Sequence, residues 1–127
     1  MKEISAIIRM NKVNDTKKAL SEAGFPAVTC RKVSGRGKKA VNFEIIQELL
    51  EGHDIQAPAL MESITEGHRL ITKRMIMMVV LDGEVDSAVK AIIDANQTGN
   101  MGDGKIFICP ISETIRIRTG ETGDEAV

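Results

Sequence analysis

The stretch TGNMGDGKIF, residues 98 to 107, has the residue types of a phosphate-binding loop. It places Gly99, Gly102, Gly104 and Lys105 within seven positions. Glycines allow backbone N–H groups to approach an anion closely, and the lysine adds a positive point charge. From Gly99 to Lys105 the spacing also matches the start of the Walker A motif, G-x-x-x-x-G-K. The stretch therefore predicts a site for phosphate groups.

Two features of this stretch exclude a Walker A ATPase. The motif requires Ser or Thr after its lysine, because that hydroxyl coordinates Mg²⁺, and this chain has Ile106 there. The motif also leads from a strand into a helix whose N-terminus faces the phosphates, whereas this loop leads from a predicted helix into a predicted strand. We therefore expect binding without hydrolysis at enzyme rates, and we predict no catalytic residue and no metal site.

Two other segments concentrate positive charge. Residues 31–39, RKVSGRGKK, contain five basic side chains, and Arg116 and Arg118 have the period-two spacing of one strand face. Charge-assisted hydrogen bonds of about 1.5–3 kcal/mol each would suit a di- or triphosphate. An ordinary solvated basic face with tight turns is the alternative interpretation of the same residues.

The composition limits the classes of protein to which the chain can belong. Its 127 residues suit a single domain, and its net charge of −1, from 17 basic and 18 acidic residues, does not favour a nucleic-acid or membrane-surface binder. No apolar run reaches the ~18 residues of a membrane-spanning helix, and the N-terminal segment lacks a signal-peptide cleavage site. We therefore expect a cytoplasmic protein that neither inserts into membranes nor binds nucleic acid.

Hydrophobic periodicity predicts two β-α-β units separated by a long insertion. Helical spacing covers 11–24 and 82–99, with Asn11 or Asn14 capping the first helix and Gly24 at its C′ position. Strand patterns cover five segments, at 4–9, 27–33, 75–81, 105–111 and 114–120. This order predicts an α+β, ferredoxin-like βαββαβ sandwich with a short fifth strand, one domain over 1–127 and a loose acidic tail over about 120–127.

The insertion over about 38–73 is too long for an ordinary connection in a compact domain. Phe43, Ile46, Leu49 and Leu50 recur in it at helical spacing and form an apolar face. Such a face must be covered, either by the rest of the domain or by a partner protein, and both interpretations stay open.

The chain resembles the PII family of nitrogen-signalling proteins over nearly its whole length. The opening MKEISAIIRMNKVNDTKKALSEAGFPAVT is similar to a PII N-terminus, TGNMGDGKIFICPI matches the C-terminal signature of the family without a gap, and IRIRTGE follows it. The resemblance implies a trimer of ferredoxin-like subunits that binds ATP or ADP in the clefts between neighbours. It also identifies the insertion as the T-loop, whose shape reports the bound ligands in this family.

The resemblance assigns residues to the nucleotide site in four groups. They lie at the base of the T-loop, in the opposing phosphate loop, near the adenosine, and on a neighbouring subunit or at the edge of the site. The base of the T-loop contributes Gly35, Arg36, Gly37 and Lys38, and the opposing phosphate loop contributes Gly102, Asp103, Gly104 and Lys105. The residues near the adenosine are Ile7, Thr29, Val79 and Phe107. A neighbouring subunit, or the edge of the site, contributes Arg116 and Arg118.

Two departures from the family pattern concern 2-oxoglutarate and the T-loop. Lys73 matches the lysine that meets the 2-oxoglutarate carboxylate, but Lys39 stands where the family usually has the glutamine that holds Mg²⁺ and 2-oxoglutarate. A protonated lysine cannot ligate Mg²⁺, because it has no free acceptor. We therefore do not expect this chain alone to bind Mg²⁺ and 2-oxoglutarate through the contacts that are usual in the family. The T-loop is also longer than in common bacterial members and contains no tyrosine, which excludes uridylylation.

The long, tyrosine-free loop and the sequence GRGKK are similar to the nitrogenase-associated branch of the family, and to the second of its two sister proteins. This resemblance implies a regulator and not an enzyme. It would form a homotrimer or a mixed oligomer with its sister, and inhibit the dinitrogenase component of nitrogenase through the T-loop. The alternative is a PII protein that controls an ammonium channel or another nitrogen-assimilation enzyme.

We predict that Leu49→Asp combined with Leu50→Asp abolishes inhibition of dinitrogenase and leaves nucleotide binding intact. Two buried charges would oppose docking of the apolar face, whereas the phosphate-binding residues lie elsewhere in the sequence. The measurement is dinitrogenase activity with and without the variant, alongside a nucleotide titration. Inhibition that persists in the variant would mean that another surface docks.

Overall fold

The computed structural model describes residues 1–37 and 70–127. Contacts divide the chain into two compact units, Met1–Val33 with Lys73–Val127, and Ser34–Thr72. The elements are β1 (Lys2–Arg9), α1 (Val13–Glu22), β2 (Thr29–Gly35), β3 (Ile71–Val80), α2 (Val85–Asn96) and β4 (Lys105–Pro110). No helix in this part of the chain is long and apolar enough to cross a membrane.

The four strands form one sheet in the order β2-β3-β1-β4. The central strand β1 is antiparallel to both of its neighbours, so that Ile7 lies opposite Met75 on β3 and Lys105 on β4. Arg9, at the end of β1, lies opposite Lys73. This strand order with two helices confirms the predicted ferredoxin-like α+β class, and it brings the end of β1 close to the start of β4.

Alternation along β1 determines which face of the sheet carries the helices. Ile4, Ala6 and Ile8 are at most 2% exposed, whereas the residues between them are partly exposed. Burial of each large aliphatic side chain contributes about 1.5–3 kcal/mol, so this cluster holds the helices on the sheet. The other buried apolar members of the core are Leu20, Ile76, Met78, Val80, Ala88 and Ile92.

Gly24 ends the first helix as predicted. Its φ of +94° lies in the left-handed region, which glycine adopts without strain. Phe25 N–H donates to the carbonyl of Leu20 at 2.7 Å, and Gly24 N–H donates to that of Ser21 at 3.1 Å. These are the two hydrogen bonds of a Schellman motif, and they satisfy carbonyl groups that the end of a helix leaves free.

The predicted asparagine caps of this helix are wrong. Lys12 occupies the N-cap position, and no side chain caps the helix there, neither Asn11 nor Asn14. A 3-10 turn at Met10–Lys12 leads directly into α1. Because the chain is already turning when α1 begins, the first turn does not adopt the extended entry that a side-chain cap requires.

A buried polar contact joins the two helices. Asn96 Nδ2 donates to Thr16 Oγ1 and to the carbonyl of Ile92, both at 2.8 Å, and the Thr16 hydroxyl donates to the carbonyl of Lys12 at 2.7 Å. Asn96 is 5% exposed and Thr16 is fully buried. Since Asn96 is the last residue of α2, this contact determines where the loop between α2 and β4 begins.

The predicted fifth strand is wrong. Ile115 forms an isolated antiparallel bridge with Thr122, and the chain reverses between them, where Gly120 N–H donates to the carbonyl of Arg116 at 2.7 Å. The reversal takes up the residues that a strand would need, so the alternation of IRIR does not produce a ladder. The acidic tail, for which the composition predicts a loose segment, contains a 3-10 turn at Gly123–Ala126.

Gly104, directly before β4, crosses the backbone of β1 at close range. Its φ is +108°, and a Cβ atom at this position would lie 1.8 Å from the carbonyl oxygen of Ile7. Only glycine fits such a crossing, because a side chain would overlap backbone atoms that cannot move independently. The crossing therefore determines where the loop before β4 leaves the sheet.

We predict that Gly104→Ala lowers the free energy of unfolding by about 2–4 kcal/mol, because the backbone must shift to relieve both the overlap and the strained φ. The measurement is urea denaturation at one fixed protein concentration. Gly83→Ala is the matched control, since nothing lies within 4 Å of its Cβ position and its φ is not positive. A Gly104→Ala variant as stable as this control would contradict the close crossing.

Candidate functional site

Residues 98–104 connect α2 to β4 and form a loop that the side chain of Asp103 closes. Its carboxylate accepts hydrogen bonds from Thr98 N–H at 2.8 Å, from Gly99 N–H at 3.0 Å and from the Thr98 hydroxyl. Gly99 and Gly102 have φ values of +84° and +100°, which let the chain turn tightly around the carboxylate. The loop is therefore held in shape by its own residues.

Arg9 joins this loop to the sheet. Its Nη1 donates to the Asp103 carboxylate at 2.6 Å, and its Nη2 donates to the carbonyl of Met101 at 3.2 Å. The two side chains are 26% and 24% exposed, so much of the ion pair is shielded from water. The hydrogen bonds from the Thr98 hydroxyl and amide, together with that from Arg9, hold the pKa of Asp103 well below its usual range.

Lys73 holds the same loop from the neighbouring strand. It lies opposite Arg9 in the register, and its Nζ donates to the carbonyl of Gly102 at 3.0 Å. Partial burial lowers the pKa of Lys73, and the charge of Arg9 lowers it further, whereas the charge of Asp103 raises it. The sheet thus directs two adjacent cationic side chains at two successive loop carbonyls.

The loop also presents backbone donors that its own structure does not use. Within the described residues, the N–H groups of Met101, Gly102, Asp103 and Gly104 donate to no protein acceptor. The side chain of Lys105 follows them and is exposed. Successive N–H groups around a glycine with positive φ form an anion-binding concavity, so the arrangement can bind phosphate oxygens.

A cleft of about 410 Å³ adjoins the loop. Its lining comes mainly from isoleucine and valine side chains of α2, β1 and β4, and it includes Ile7, Asp103, Gly104 and Lys105. An apolar wall beside exposed N–H donors is suited to a ligand that combines an apolar ring with an anionic group.

The sequence profile described as Nitrogen regulatory protein P-II matches residues 1–121. The chain belongs to the PII family. Members of this family are regulatory signalling proteins, so the match assigns the chain to a class of regulators.

Known PII relatives are similar over the full chain. The Nitrogen fixation nifHD region GlnB-like protein 2 of Methanothermococcus thermolithotrophicus is 47% identical over 129 residues, which cover 100% of this chain and 98% of the relative. The protein of the same name from Methanobacterium ivanovii is 41% identical over 128 residues, or 100% and 99%. The Nitrogen regulatory protein P-II 2 of Methanothermobacter thermautotrophicus is 42% identical over 127 residues, or 100% and 97%.

In this PII protein, the predicted phosphate loop lies beside one predicted adenosine contact. Gly104 crosses Ile7, and Lys105 pairs with Ile7 in the sheet. Gly102 lies against the guanidinium of Arg9, with 3.2 Å between its Cβ position and Nη2. Asp103 belongs to the same loop, but its carboxylate is engaged by loop donors and Arg9, so its role here is to close the loop.

The other predicted adenosine contacts of the PII fold are widely spaced. Phe107 is 48% exposed and pairs with Ser5 on the sheet. Val79 pairs with Glu3, two register positions further from the loop. Thr29 begins β2 and is exposed. The register therefore spreads these side chains along the sheet.

Arg116 and Arg118 do not share a strand face, which corrects the prediction from their spacing. The Arg116 side chain donates to the Glu121 carboxylate at 2.6 Å and to the carbonyl of Glu125 at 3.0 Å. Arg118 lies exposed in the adjoining turn and forms no ion pair within the described residues. Because Arg116 is engaged within its own hairpin, Arg118 is the better placed of the two for a ligand.

The remaining predicted residues fall in the second unit or outside the described residues. Gly35 ends β2, and two exposed residues, Arg36 and Gly37, follow it. In residues 1–37 and 70–127, no three His, Cys, Asp or Glu side chains are grouped so as to hold a metal ion. The predictions for Lys38, Lys39, Phe43, Ile46, Leu49 and Leu50 lie outside the described residues.

Sequence reasoning missed Arg9 and Thr98 as parts of the site. Arg9 is visible in the sequence as a cation that ends an apolar strand, and Thr98 as a hydroxyl directly before the glycine-rich loop. Neither signal reveals that both side chains meet Asp103. The partner of Arg9 lies 94 positions along the chain, and the contact depends on the pairing of β1 with β4.

We predict that Asp103→Asn lowers the free energy of unfolding at neutral pH and that its difference from wild type shrinks in acid. The folded-state pKa of Asp103 is depressed, so its charge stabilises the fold above the unfolded value of about 3.9, and that contribution is lost as the pH falls through the folded value. Urea titrations at about pH 7 and about pH 3 measure the difference.

Asp94→Asn is the control for this comparison, because it removes a carboxylate from the exposed pair with Lys90 on α2. Exposed pairs of this kind contribute about 0.3–0.5 kcal/mol, so a small effect is expected. An Asp103→Asn difference that stays constant between the two pH values would mean that the ionised carboxylate does not stabilise the loop.

Proposed function

We propose that this PII protein is a non-enzymatic signal transducer that binds ATP or ADP at the 98–104 loop and regulates nitrogenase through residues 38–73. The observation that carries the proposal is that, within residues 1–37 and 70–127, the N–H groups of Met101 to Gly104, directly before Lys105, donate to no protein acceptor. A loop that is already folded loses little conformational entropy when its donors meet a phosphate.

The charges around the loop support a polyanionic ligand. Asp103 belongs to the stretch that carries the donors, and its charge is balanced by Arg9 at 2.6 Å. Lys73 and Lys105 then leave the loop with an excess of positive charge. Charge-assisted hydrogen bonds to phosphate oxygens are stronger than neutral ones, which favours a nucleotide over an uncharged ligand.

The local topology supports binding without hydrolysis. The loop follows α2 and leads into β4, which begins at Lys105. No helix N-terminus therefore follows the loop to face the phosphates, and Ile106 supplies no hydroxyl for Mg²⁺. We therefore propose a sensor of nucleotide and not an ATPase.

The names of the relatives support a role in nitrogen fixation. Relatives that are 41% to 47% identical over the full chain are called nifHD region GlnB-like protein 2. We propose that this chain acts as the second of two sister PII proteins, as a homotrimer or in a mixed oligomer, and that dinitrogenase is its target. Lys73 would contact the 2-oxoglutarate carboxylate. Lys39 would weaken the joint binding of Mg²⁺ and 2-oxoglutarate.

Regulation in this proposal is a shift between conformations of the long loop. A nucleotide can change the population of loop states only if it binds one state more tightly than another. ATP and ADP differ by one phosphate group, so the two nucleotides would favour different loop states only through the contacts of that group.

We predict that Lys105→Met weakens binding of ATP and ADP by about tenfold or more, because one charge-assisted hydrogen bond is lost. Isothermal titration calorimetry on the full chain measures the affinity, with and without Mg²⁺ and 2-oxoglutarate. Lys90→Met is the matched control, since Lys90 is exposed and paired with Asp94 on α2. A wild-type chain without nucleotide affinity, or a Lys105→Met variant that binds normally, would contradict the proposal.

The target is tested separately by pull-down with purified dinitrogenase or with a purified ammonium channel, each with ATP or ADP present. We expect retention of dinitrogenase that depends on the nucleotide. Retention of the channel alone would favour the alternative regulator. Tight binding of 2-oxoglutarate by this chain alone would overturn the inference from Lys39.

A further inference from the structure

Arg9 is outside the residue set assigned to the nucleotide, yet it hydrogen-bonds to two residues of the 98–104 loop. Its Nη1 lies 2.6 Å from the Asp103 carboxylate and its Nη2 lies 3.2 Å from the Met101 carbonyl oxygen. Gly102, between them, lies beside the same guanidinium, and a Cβ atom there would be 3.2 Å from Nη2, so that the guanidinium would have to shift slightly. Both hydrogen bonds place Arg9 against the stretch of the loop that carries the unused N–H groups.

The shape of the guanidinium suits this position. Its planar fork directs several N–H donors along fixed lines, whereas a lysine carries one ammonium group on a flexible chain. Lys73, in register with Arg9, shows the difference, because within the described part of the chain its ammonium hydrogen-bonds only to the carbonyl of Gly102. Arg9 can therefore define the orientation of the loop, while Lys73 contacts it at one point.

Arg9 also removes an electrostatic obstacle to anion binding. The Asp103 carboxylate lies in the same loop as the N–H donors, and an unpaired negative charge there would repel a phosphate. The positive charge of Arg9 at 2.6 Å offsets it. A partly exposed ion pair of this kind contributes little to global stability, so its main effect is local.

We propose that Arg9 is a positioning residue of the nucleotide site, which orients the 98–104 loop through Asp103 and Met101 and neutralises Asp103 so that the loop accepts a phosphate. This inference rests on the proposed nucleotide binding. Arg9 acts through the loop, because its donors are directed at Asp103 and Met101.

The first experiment is a double-mutant cycle on the full chain, with ADP affinity measured by calorimetry. Arg9→Met should weaken binding by about tenfold or more, because the loop loses its anchor and Asp103 loses its counter-charge. Adding Asp103→Asn should restore part of the affinity, since the repelling charge is gone. Arg9→Lys should bind better than Arg9→Met, because it keeps the charge. Lys17→Met, on the exposed side of α1, should bind as wild type does.

Two outcomes of this cycle would overturn the proposal. If Arg9→Met weakens ADP binding by the same factor in the wild-type and Asp103→Asn backgrounds, the two residues are not coupled, and Arg9 does not act through the loop. If Arg9→Met lowers the melting temperature but binds ADP as wild type does, Arg9 has a structural role alone.

The second experiment uses amide hydrogen exchange without nucleotide, and it separates this proposal from the proposed function. In Arg9→Met, exchange at the Thr98 and Gly99 amides should rise by about tenfold, while amides in the middle of α2 stay protected. If wild type binds no ADP but this change occurs, nucleotide binding is wrong and Arg9 still positions the loop. If exchange at Thr98 and Gly99 is unchanged, the positioning role is wrong whatever the chain binds.

Discussion

The contact between Arg9 and Asp103 is the interaction on which the candidate site depends, because it joins a glycine-rich loop to the centre of the sheet. A loop with three positive-φ glycines has a large conformational entropy when it is free. The Asp103 carboxylate limits this freedom from inside by binding Thr98 and Gly99, and Arg9 limits it from outside. The N–H groups of Met101 to Gly104, in the same stretch, then need no ligand to order them.

The position of Arg9 follows in turn from the hydrophobic core. Ile4, Ala6 and Ile8 are buried under the helices, and this fixes the face and register of β1. A slip by one residue would turn those side chains away from the core and would also carry Arg9 to the other face. The apolar packing of one face therefore decides that the cations on the opposite face meet the loop.

The site illustrates why a sequence motif must be read with its topology. The loop has the glycines and the lysine of an ATPase motif, but it connects a helix to a strand, and its aspartate binds the loop itself and not a metal. The resulting geometry presents donors without a helix dipole or a hydroxyl ligand for Mg²⁺. Membership of a family of regulators agrees with the proposal that the loop binds a nucleotide without cleaving it.

The sequence alone determined the ferredoxin-like class and the helix ending at Gly24, because periodicity and glycine spacing are local properties. The sequence predicted a fifth strand wrongly, because the alternation of IRIR indicates a strand even where the chain reverses direction. Only the tertiary structure decided that Arg9, Lys73 and Asp103 meet, because their contact depends on the pairing of strands far apart in the chain. It also decided that Gly104 must be glycine, because the carbonyl oxygen of Ile7 on β1 lies 1.8 Å from the position of a Cβ atom.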